Sequence, residues 1–294
     1  MKIFTFETNK LKMTHLVQNE FLTIRINSKG AELNSIKSGE KEFIWNGNPE
    51  FWGKHSPVLF PIVGSLKNNV YSYQNKEYSL KRHGFARDLE FVIVEKLENS
   101  IVFSLKANEN TLENYPFDFE LQIKYTLDEK ILTIKYRVIN NSDEKMPFSI
   151  GAHPAFSLSN GFENYSLEFS DDDNIEYYLL DNGIISSQKE EIILKNKVLD
   201  LKYKTFENDA LVFKELKSKT ITILEKSIPY IKVRFYNFPN LGLWTAKSAD
   251  FICIEPWFGY SDTINSNGKL LDKEGIIVLE KKQTFETEFS IKIF

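Results

Sequence analysis

Apolar and polar residues alternate with a period of two along most of this chain. The pattern runs through residues 121–127, stops at the polar Asp128-Glu129-Lys130, and resumes over residues 132–138. Two alternating runs around a short polar connection predict a β-hairpin. Successive side chains of a strand point to opposite faces, so each run covers one face of a sheet. Similar runs occupy residues 22–26, 101–105, 165–169, 221–223, 231–235 and 289–293.

The chain lacks any stretch of about a dozen residues with helical periodicity. Residues 51–54 and 205–209 favour at most short helical turns, and the polar segments 171–174 and 186–191 are short enough to be surface loops. Many short strands separated by turns predict an all-β fold, a large antiparallel β-sandwich or a barrel. Nothing resembles an interdomain linker or an internal repeat. We therefore expect one domain over residues 1–294.

Composition narrows the class of partner. Aromatic residues make up 14% of the chain, with 24 Phe and 13 Tyr, and they favour strands. The net charge of −4 gives no electrostatic reason to expect nucleic acid or an anionic membrane as partner. Residues 1–12 alternate in polarity and do not resemble a signal peptide, and no segment resembles a membrane span. The single cysteine, Cys253, cannot form an internal disulfide, so we expect a cytoplasmic protein.

His153 is the first candidate for chemistry, in Gly151-Ala152-His153-Pro154-Ala155-Phe156. A proline restricts the residue before it to extended geometry, so we expect this histidine at a strand end. Small neighbours leave space around its ring, which suits a proton donor or acceptor. On its own, this motif is more often an ordinary turn.

Two further segments carry polar residues in unusual surroundings. His83 is followed by Gly84, which permits close backbone approach, and by Arg87, a fixed cation; an ordinary loop is the alternative. Glu255 follows four apolar residues, where burial raises a carboxyl pKa towards that of a general base, and a structural ion pair is the alternative. Pro256 is expected to end this strand, and Trp257 to supply an apolar wall.

Five motifs in order resemble the aldose 1-epimerase (galactose mutarotase-like) family, most closely its LacX-like branch, from about Val17 onwards. They are Gly30-Ala31-Glu32-Leu33, Ser56-Pro57-Val58-Leu59-Phe60-Pro61-Ile62-Val63-Gly64, His83-Gly84-Phe85-Ala86-Arg87, Gly151-Ala152-His153-Pro154-Ala155-Phe156 and Ile254-Glu255-Pro256-Trp257, with Leu243-Trp244-Thr245 before the last. The resemblance implies a large antiparallel β-sandwich that interconverts the anomers of a free aldose without metal or organic cofactor. The partner is then a monosaccharide, and the protein a monomer or homodimer.

The resemblance also implies roles for individual residues. Glu255 matches the general base and His153 the general acid, while His83 matches a histidine that binds the sugar near its ring oxygen. Asp209 resembles a hydroxyl-binding aspartate in a loosely matching motif.

One position departs from the family pattern. Many relatives carry arginine where this chain has Ser65, so we expect Lys67 or Arg87 to supply that sugar contact.

Three alternatives stay open. His83, His153 and Glu255 also suit a two-histidine, one-carboxylate metal site, although no two of them are close in sequence. A sugar-binding or sensor protein keeps the fold without catalysis. A hexose 6-phosphate is a further candidate substrate, which clustered arginines would favour.

Overall fold

A computed structural model describes residues 13–294 of the chain. The segment 1–12, interpreted above as unlike a signal peptide, lies outside the described residues. The strands are β1 Thr14–Gln18, β2 Thr23–Asn27, β3 Glu32–Ser38, β4 Lys41–Glu42, β5 Val58–Leu59, β6 Val70–Tyr73, β7 Lys76–Ser79, β8 Val92–Lys96, β9 Ser100–Lys106, β10 Phe119–Asp128, β11 Ile131–Asn140, β12 Met146–Phe148, β13 Ile150–Ala152, β14 Ala155–Ser157, β15 Tyr165–Phe169, β16 Asn174–Asp181, β17 Ile184–Ile193, β18 Val198–Asp200, β19 Leu211–Phe213, β20 Thr220–Glu225, β21 Ile228–Arg234, β22 Asn240–Trp244, β23 Phe251–Phe258, β24 Ile277–Leu279 and β25 Thr284–Ile293.

Helix contributes little to the described chain. The α-helix α1 spans Glu109–Asn114, and its first turn is closed by a capping box between Asn108 and Thr111. Short 3₁₀ segments lie at Lys67–Asn69, Ala86–Asp88, Phe162–Asn164, Tyr203–Phe206 and Leu270–Asp272. None of the helices in residues 13–294 has the length and apolarity to cross a membrane.

Two large antiparallel sheets form the body of the protein. The nine-stranded sheet has the order β18-β15-β20-β21-β25-β11-β10-β9-β8. The eight-stranded sheet has the order β17-β16-β19-β22-β23-β13-β5, with β14 also paired to β23. Smaller sheets are β1-β2-β3-β4, β12-β24 and β6-β7.

One hydrophobic core joins the inward faces of these sheets. Along β10, buried residues alternate with partly exposed ones, as the period-two pattern predicts. Leu121 and Ile123 of the nine-stranded sheet share a buried cluster with Ile252 and Ile254 of the eight-stranded sheet. The predicted all-β antiparallel fold is therefore confirmed.

Several local expectations need correction. Residues 51–54 form no helix; a turn lies at residues 49–51, where the amides of Phe51 and Trp52 donate to the Asn48 carbonyl. The helical turn expected at 205–209 lies earlier, at Tyr203–Phe206. Residues 186–191 belong to β17, an edge strand that keeps most of its side chains exposed and so reads as a polar loop.

A break in one strand positions the most polar part of the eight-stranded sheet. β13 and β14 both pair with β23 in the same register, but the ladder between them is interrupted at His153-Pro154. If the register with β23 is continued across this break, His153 lies opposite Glu255. The expectation that His153 lies at a strand end agrees with this arrangement.

Pro256 does not end its strand, contrary to the sequence-based expectation. β23 continues to Phe258, and Pro256 pairs with Leu241 of β22. A proline has no N–H for a ladder, so it is tolerated where a neighbouring strand is missing. The break beside His153 supplies such a place.

A buried ion pair fixes two loops beside this break. Lys273 Nζ lies 3.0 Å from Asp262 Oδ1, with both side chains nearly inaccessible, and it donates to the Tyr260 carbonyl at 2.6 Å. Asp262 Oδ2 accepts from the Lys67 amide at 2.9 Å, and Ser261 Oγ accepts from the Ser65 amide at 3.0 Å. The pair therefore anchors the chain around residue 65 to the chain around residue 262.

We expect Lys273→Met to lower the free energy of unfolding by about 3–5 kcal/mol, because it leaves the Asp262 carboxylate buried without its cation. Urea denaturation followed by tryptophan fluorescence measures the change. Lys282→Met is the matched control, since it removes an exposed ion pair with Asp143 and should cost less than about 1 kcal/mol. Equal losses in the two variants would contradict a structural role for the buried pair.

Candidate active site

His153 and Glu255 meet at the bottom of a cleft on the outer face of the eight-stranded sheet. His153 Nε2 lies 3.3 Å from Glu255 Oε2, and the residues are 8% and 1% exposed. The cleft has a volume of about 240 Å³, which corresponds to the liquid volume of roughly eight water molecules. Its other polar lining comes from Arg82, His83, Arg87 and Asp209, and its aromatic lining from Trp52, Trp244 and Trp257.

The Trp257 ring packs directly against the backbone of two glycines. A Cβ on Gly151 would lie 2.5 Å from the indole Cδ1, and one on Gly242 would lie 2.3 Å from Cη2. Any larger residue at either position would therefore displace the ring. Trp257 is only 5% exposed, and part of its surface lines the cleft. It therefore forms the expected apolar wall of the cleft and also packs against the sheet.

The His153 imidazole is enclosed by aromatic rings. Trp52 stacks on it with a centroid separation of 4.8 Å, while Trp244 and His83 meet it edge-on at 5.7 and 5.8 Å. Sequence reasoning missed Trp52 as a site residue, because its segment has no feature beyond a turn. Trp244 was noted only as part of a motif. The rings hold the imidazole in one orientation.

Burial favours the neutral forms of the central pair. It raises the pKa of Glu255 well above its usual value; the positive charge of Arg82 opposes this rise and the nearby Asp209 adds to it. Burial likewise lowers the pKa of His153 to about 3, assisted by the charges of Arg82 and Arg87. Both shifts therefore favour a protonated carboxyl facing a neutral imidazole.

Three buried polar atoms of this site have no hydrogen-bond partner within residues 13–294: Glu255 Oε2, His153 Nδ1 and Trp257 Nε1. The close approach of His153 Nε2 to Glu255 lacks hydrogen-bond geometry. Unpaired buried polar atoms are costly and cluster at functional sites. Polar groups of a bound molecule would satisfy those that face the cleft.

His83 is held as a neutral hydrogen-bond donor. The Gly64 amide donates to its Nδ1 at 3.1 Å, so the ring proton of the neutral form belongs on Nε2. Burial, with the neighbouring His153 and the charges of Arg82 and Arg87, lowers the pKa of His83 well below its usual value. Arg82 Nε, which is also a donor, lies 3.3 Å from His83 Nε2. The flexible Arg82 guanidinium can move away from a protonated Nε2, whereas the Gly64 backbone amide cannot move away from Nδ1.

The backbone beside His83 is constrained. His83 has a φ of 68°, and Gly84 follows with a φ of 69°. A Cβ on Gly84 would lie 2.2 Å from the Phe60 carbonyl oxygen, so only glycine fits this close approach. Positive φ at a non-glycine residue is uncommon and often marks functional sites.

Asp209 and the two arginines form the polar rim. Arg82 Nη1 lies 3.6 Å from Asp209 Oδ2, and Asp209 has a φ of 83° while its Oδ1 accepts from the Ala210 amide. Arg87 Nη2 donates to the Arg82 carbonyl at 2.8 Å, and its Nε lies 3.8 Å from Asp88. Asp209 and Arg87, singled out from the sequence, are therefore in the cleft, and Arg82 joins them.

Lys67 is not brought to the cleft, contrary to its expected role. Its ammonium donates to the Ile264 carbonyl at 3.0 Å, and it is absent from the cleft lining. The space around Ser65 is approached by Arg82 instead: a Cβ placed on Gly183 would be within 4 Å of Ser65 Oγ and of Arg82 Nη1. The Arg82 guanidinium is thus close to Ser65.

The fold brings together a different set of potential metal ligands from the set considered in the sequence analysis. Among residues 13–294, one group of three potential ligands lies within 4.8 Å, and it consists of His153, Cys253 and Glu255. His83 is not a member of that group.

Comparisons with known proteins agree with the resemblance in the sequence. The model of the family described as aldose 1-epimerase matches residues 13–277. Protein LacX (chromosomal) of Lactococcus lactis subsp. lactis is 39% identical over 297 aligned positions, which cover 96% of this chain and 99% of that protein.

Solved structures show the same architecture. A galactose mutarotase related enzyme from Lactobacillus acidophilus superposes with a TM-score of 0.92 at 33% identity, covering 96% of this chain and 97% of its own. A galactose mutarotase-like protein from Lactobacillus casei gives a TM-score of 0.90 at 25% identity, covering 96% and 100%.

We expect both cleft histidines to stay neutral between pH 8 and pH 5, because burial disfavours their charged forms. In ¹⁵N-histidine-labelled protein, His153 should show no titration in this range, and His83 should show a protonated Nε2 beside an unprotonated Nδ1. His83→Gln and His153→Asn assign the signals. Titration of His153 near its ordinary pKa of about 6.5 would contradict the burial argument.

Proposed function

The chain belongs to the aldose 1-epimerase family, and from that premise we propose that it interconverts the α and β anomers of a free aldohexose. The observation that carries the proposal is the 3.3 Å approach of His153 and Glu255 at the bottom of a small polar cleft. The reaction is ring opening and closure by general acid and base catalysis.

Ring opening requires two proton transfers. The anomeric hydroxyl loses its proton to the Glu255 carboxylate, while protonated His153 donates to the ring oxygen and the bond between C1 and that oxygen breaks. The open-chain aldehyde then rotates about its C1–C2 bond. Closure on the other face reverses both transfers, so each residue returns to its starting form.

Glu255 and His153 together carry one exchangeable proton throughout this cycle. Ring opening converts the pair from carboxylate and imidazolium to carboxylic acid and imidazole, and ring closure restores the first state. Burial favours the second arrangement, so the protein environment offsets part of the free-energy cost of opening the ring. The positive charge of Arg82 opposes the rise in the pKa of Glu255 and so keeps the first arrangement accessible.

The remaining cleft residues hold the sugar. His83, with its ring proton on Nε2, donates near the ring oxygen without competing for the transferred proton. Asp209 and Arg82 bind hydroxyl groups at the rim, with Arg87 beside them, and Trp257 packs against the apolar C–H face of the ring. Ring opening and closure need proton transfers and the cleavage of one C–O bond but no oxidant, reductant or group carrier, so the proposed mechanism uses no cofactor.

We expect Glu255→Gln and His153→Asn each to lower kcat by about 10²–10⁴, because each removes one proton-transfer group. Polarimetry on freshly dissolved α-glucose and α-galactose measures the approach to anomeric equilibrium. Glu168→Gln, which alters an exposed carboxylate on β15, is the matched control and should keep full activity.

Near-normal activity of either cleft variant would refute the assigned roles. Sugar binding by the unaltered protein without any acceleration of anomer exchange would instead favour the non-catalytic sensor alternative.

We expect kcat/KM not to fall as the pH is lowered from 7 to 5. The one-proton state of the pair gains a second proton only near the lowered pKa of His153, about 3, and the raised pKa of Glu255 favours that state as the pH falls. An imidazole of ordinary pKa, about 6.5, would instead pass from mostly neutral to almost fully protonated over this range. Initial rates, corrected for the uncatalysed reaction at each pH, measure the profile; a tenfold fall would exclude this proton assignment.

One observation favours a second substrate class, hexose 6-phosphates. Arg82 and Arg87 both line the cleft, and Arg87 Nε is buried without a hydrogen-bond partner in residues 13–294. Guanidinium groups suit bidentate recognition of phosphate. Comparing kcat/KM for glucose, galactose and their 6-phosphates decides between the classes: a preference for the phosphates that Arg82→Ala abolishes would favour the second.

A further inference from the structure

Cys253 lies directly beside the proton-exchanging pair, and the proposed mechanism does not use it. On β23, alternate residues share a face, so Cys253 and Glu255 point to the same side as Trp257. This side carries the cleft, whereas Ile252 and Ile254 point into the core between the sheets. Cys253 is fully buried, packed with the aromatic residues beneath the cleft.

The broken strand completes a set of three donor atoms of different kinds. A ring nitrogen of His153, Cys253 Sγ and a Glu255 oxygen all lie within 4.8 Å of one another. The Glu255 oxygen that faces His153 Nε2, Oε2, is buried without a hydrogen-bond partner among the described residues. The thiol therefore adds a third potential ligand beside an unsatisfied carboxyl oxygen.

The spacing is close to what a tetrahedral zinc ion needs. Bonds of about 2.0–2.3 Å place neighbouring ligand atoms roughly 3.4–3.6 Å apart. The 3.3 Å separation of His153 Nε2 and Glu255 Oε2 already meets this requirement. The sulfur has to approach by at most roughly 1.4 Å, a shift within reach of side-chain rotation. The fourth position then opens into the cleft.

We propose that His153, Cys253 and Glu255 form an inhibitory binding site for Zn²⁺ or a similar thiophilic divalent cation. Nitrogen, sulfur and carboxylate donors select such ions over Mg²⁺ and Ca²⁺, which prefer oxygen ligands. Zinc binding displaces the protons of the Cys253 thiol and the Glu255 carboxyl to water. The bound ion then occupies the lone pairs that carry the proton in the proposed reaction, and it competes with the sugar. Only the inhibition rests on the proposed function; the binding site does not.

Calorimetric titration of the metal-free, reduced full-length protein with Zn²⁺ tests the site directly. We expect one ion per chain, displacement by excess sugar, and no binding of Mg²⁺. Substituting Co²⁺ should give the near-ultraviolet absorption of a thiolate–cobalt bond. Zinc should also suppress anomer exchange at the stoichiometry found by calorimetry.

Cys253→Ala is the decisive variant, since Cys253 takes no part in the proposed proton transfers. We expect its activity to stay within about twofold, its zinc affinity to fall at least about 100-fold, and its cobalt–thiolate absorption to vanish. Cys253→Val, which refills the apolar site, repeats the test if the alanine variant is unstable. His15→Asn, which alters a histidine remote from the cleft, is the control for adventitious binding.

The proposal is overturned if zinc does not bind, if Cys253→Ala binds it as tightly as the unaltered protein, or if the cobalt form lacks the thiolate absorption. If zinc binds through Cys253 but the protein shows no epimerase activity, the site stands and the proposed function fails.

Discussion

The contact between His153 and Glu255 depends on a gap in the hydrogen-bonded ladder along β23. The register of the pairing is the same on both sides of this gap. β13 and β14 pair with the same strand, and the residues between them would be the next rungs if their hydrogen bonds were made. Pro154 and Pro256 both lie at this interruption, and neither has an N–H to leave unsatisfied. The two prolines therefore let the strands separate locally at little cost. An imidazole and a carboxyl enter the opened space as opposing neighbours.

Removal from water gives this contact its chemical character. In an exposed histidine–glutamate pair the carboxyl would be ionised at neutral pH, the imidazole would be partly protonated, and solvent would screen their interaction. Here the glycines at 151 and 242 admit the Trp257 indole, and Trp52 covers the imidazole from another side. In this low-dielectric setting the neutral forms of the pair are favoured over the charged ones. The proposed reaction would use this preference when the pair exchanges protons with a sugar.

Much of this arrangement was predictable from the sequence alone, because it follows from patterns of neighbouring residues. Alternation in residues 121–138 determined the hairpin, although its loop contains two residues rather than three because Asp128 pairs with Ile131. The site residues His83, His153 and Glu255 stood out because each occurs in a chemically unusual segment. Lys67 was misassigned, since sequence distance from Ser65 says nothing about side-chain direction. Trp52, Arg82 and the partnership of Cys253 with the pair arise from contacts between distant segments.

The Asp262–Lys273 anchor has a consequence for the order in which the molecule assembles. It ties the backbone at Lys67 to a carboxylate 195 positions away, whereas the β10–β11 hairpin closes within a few residues. Contacts of such large separation carry the greater loop-closure entropy, and the nine-stranded sheet needs them too, because β11 pairs with β25 near the end of the chain. The local hairpins are therefore expected to form first, and the closed sheet and the anchored loops later. The segments around residues 65 and 262 thus reach their places only once distant parts of the chain have met.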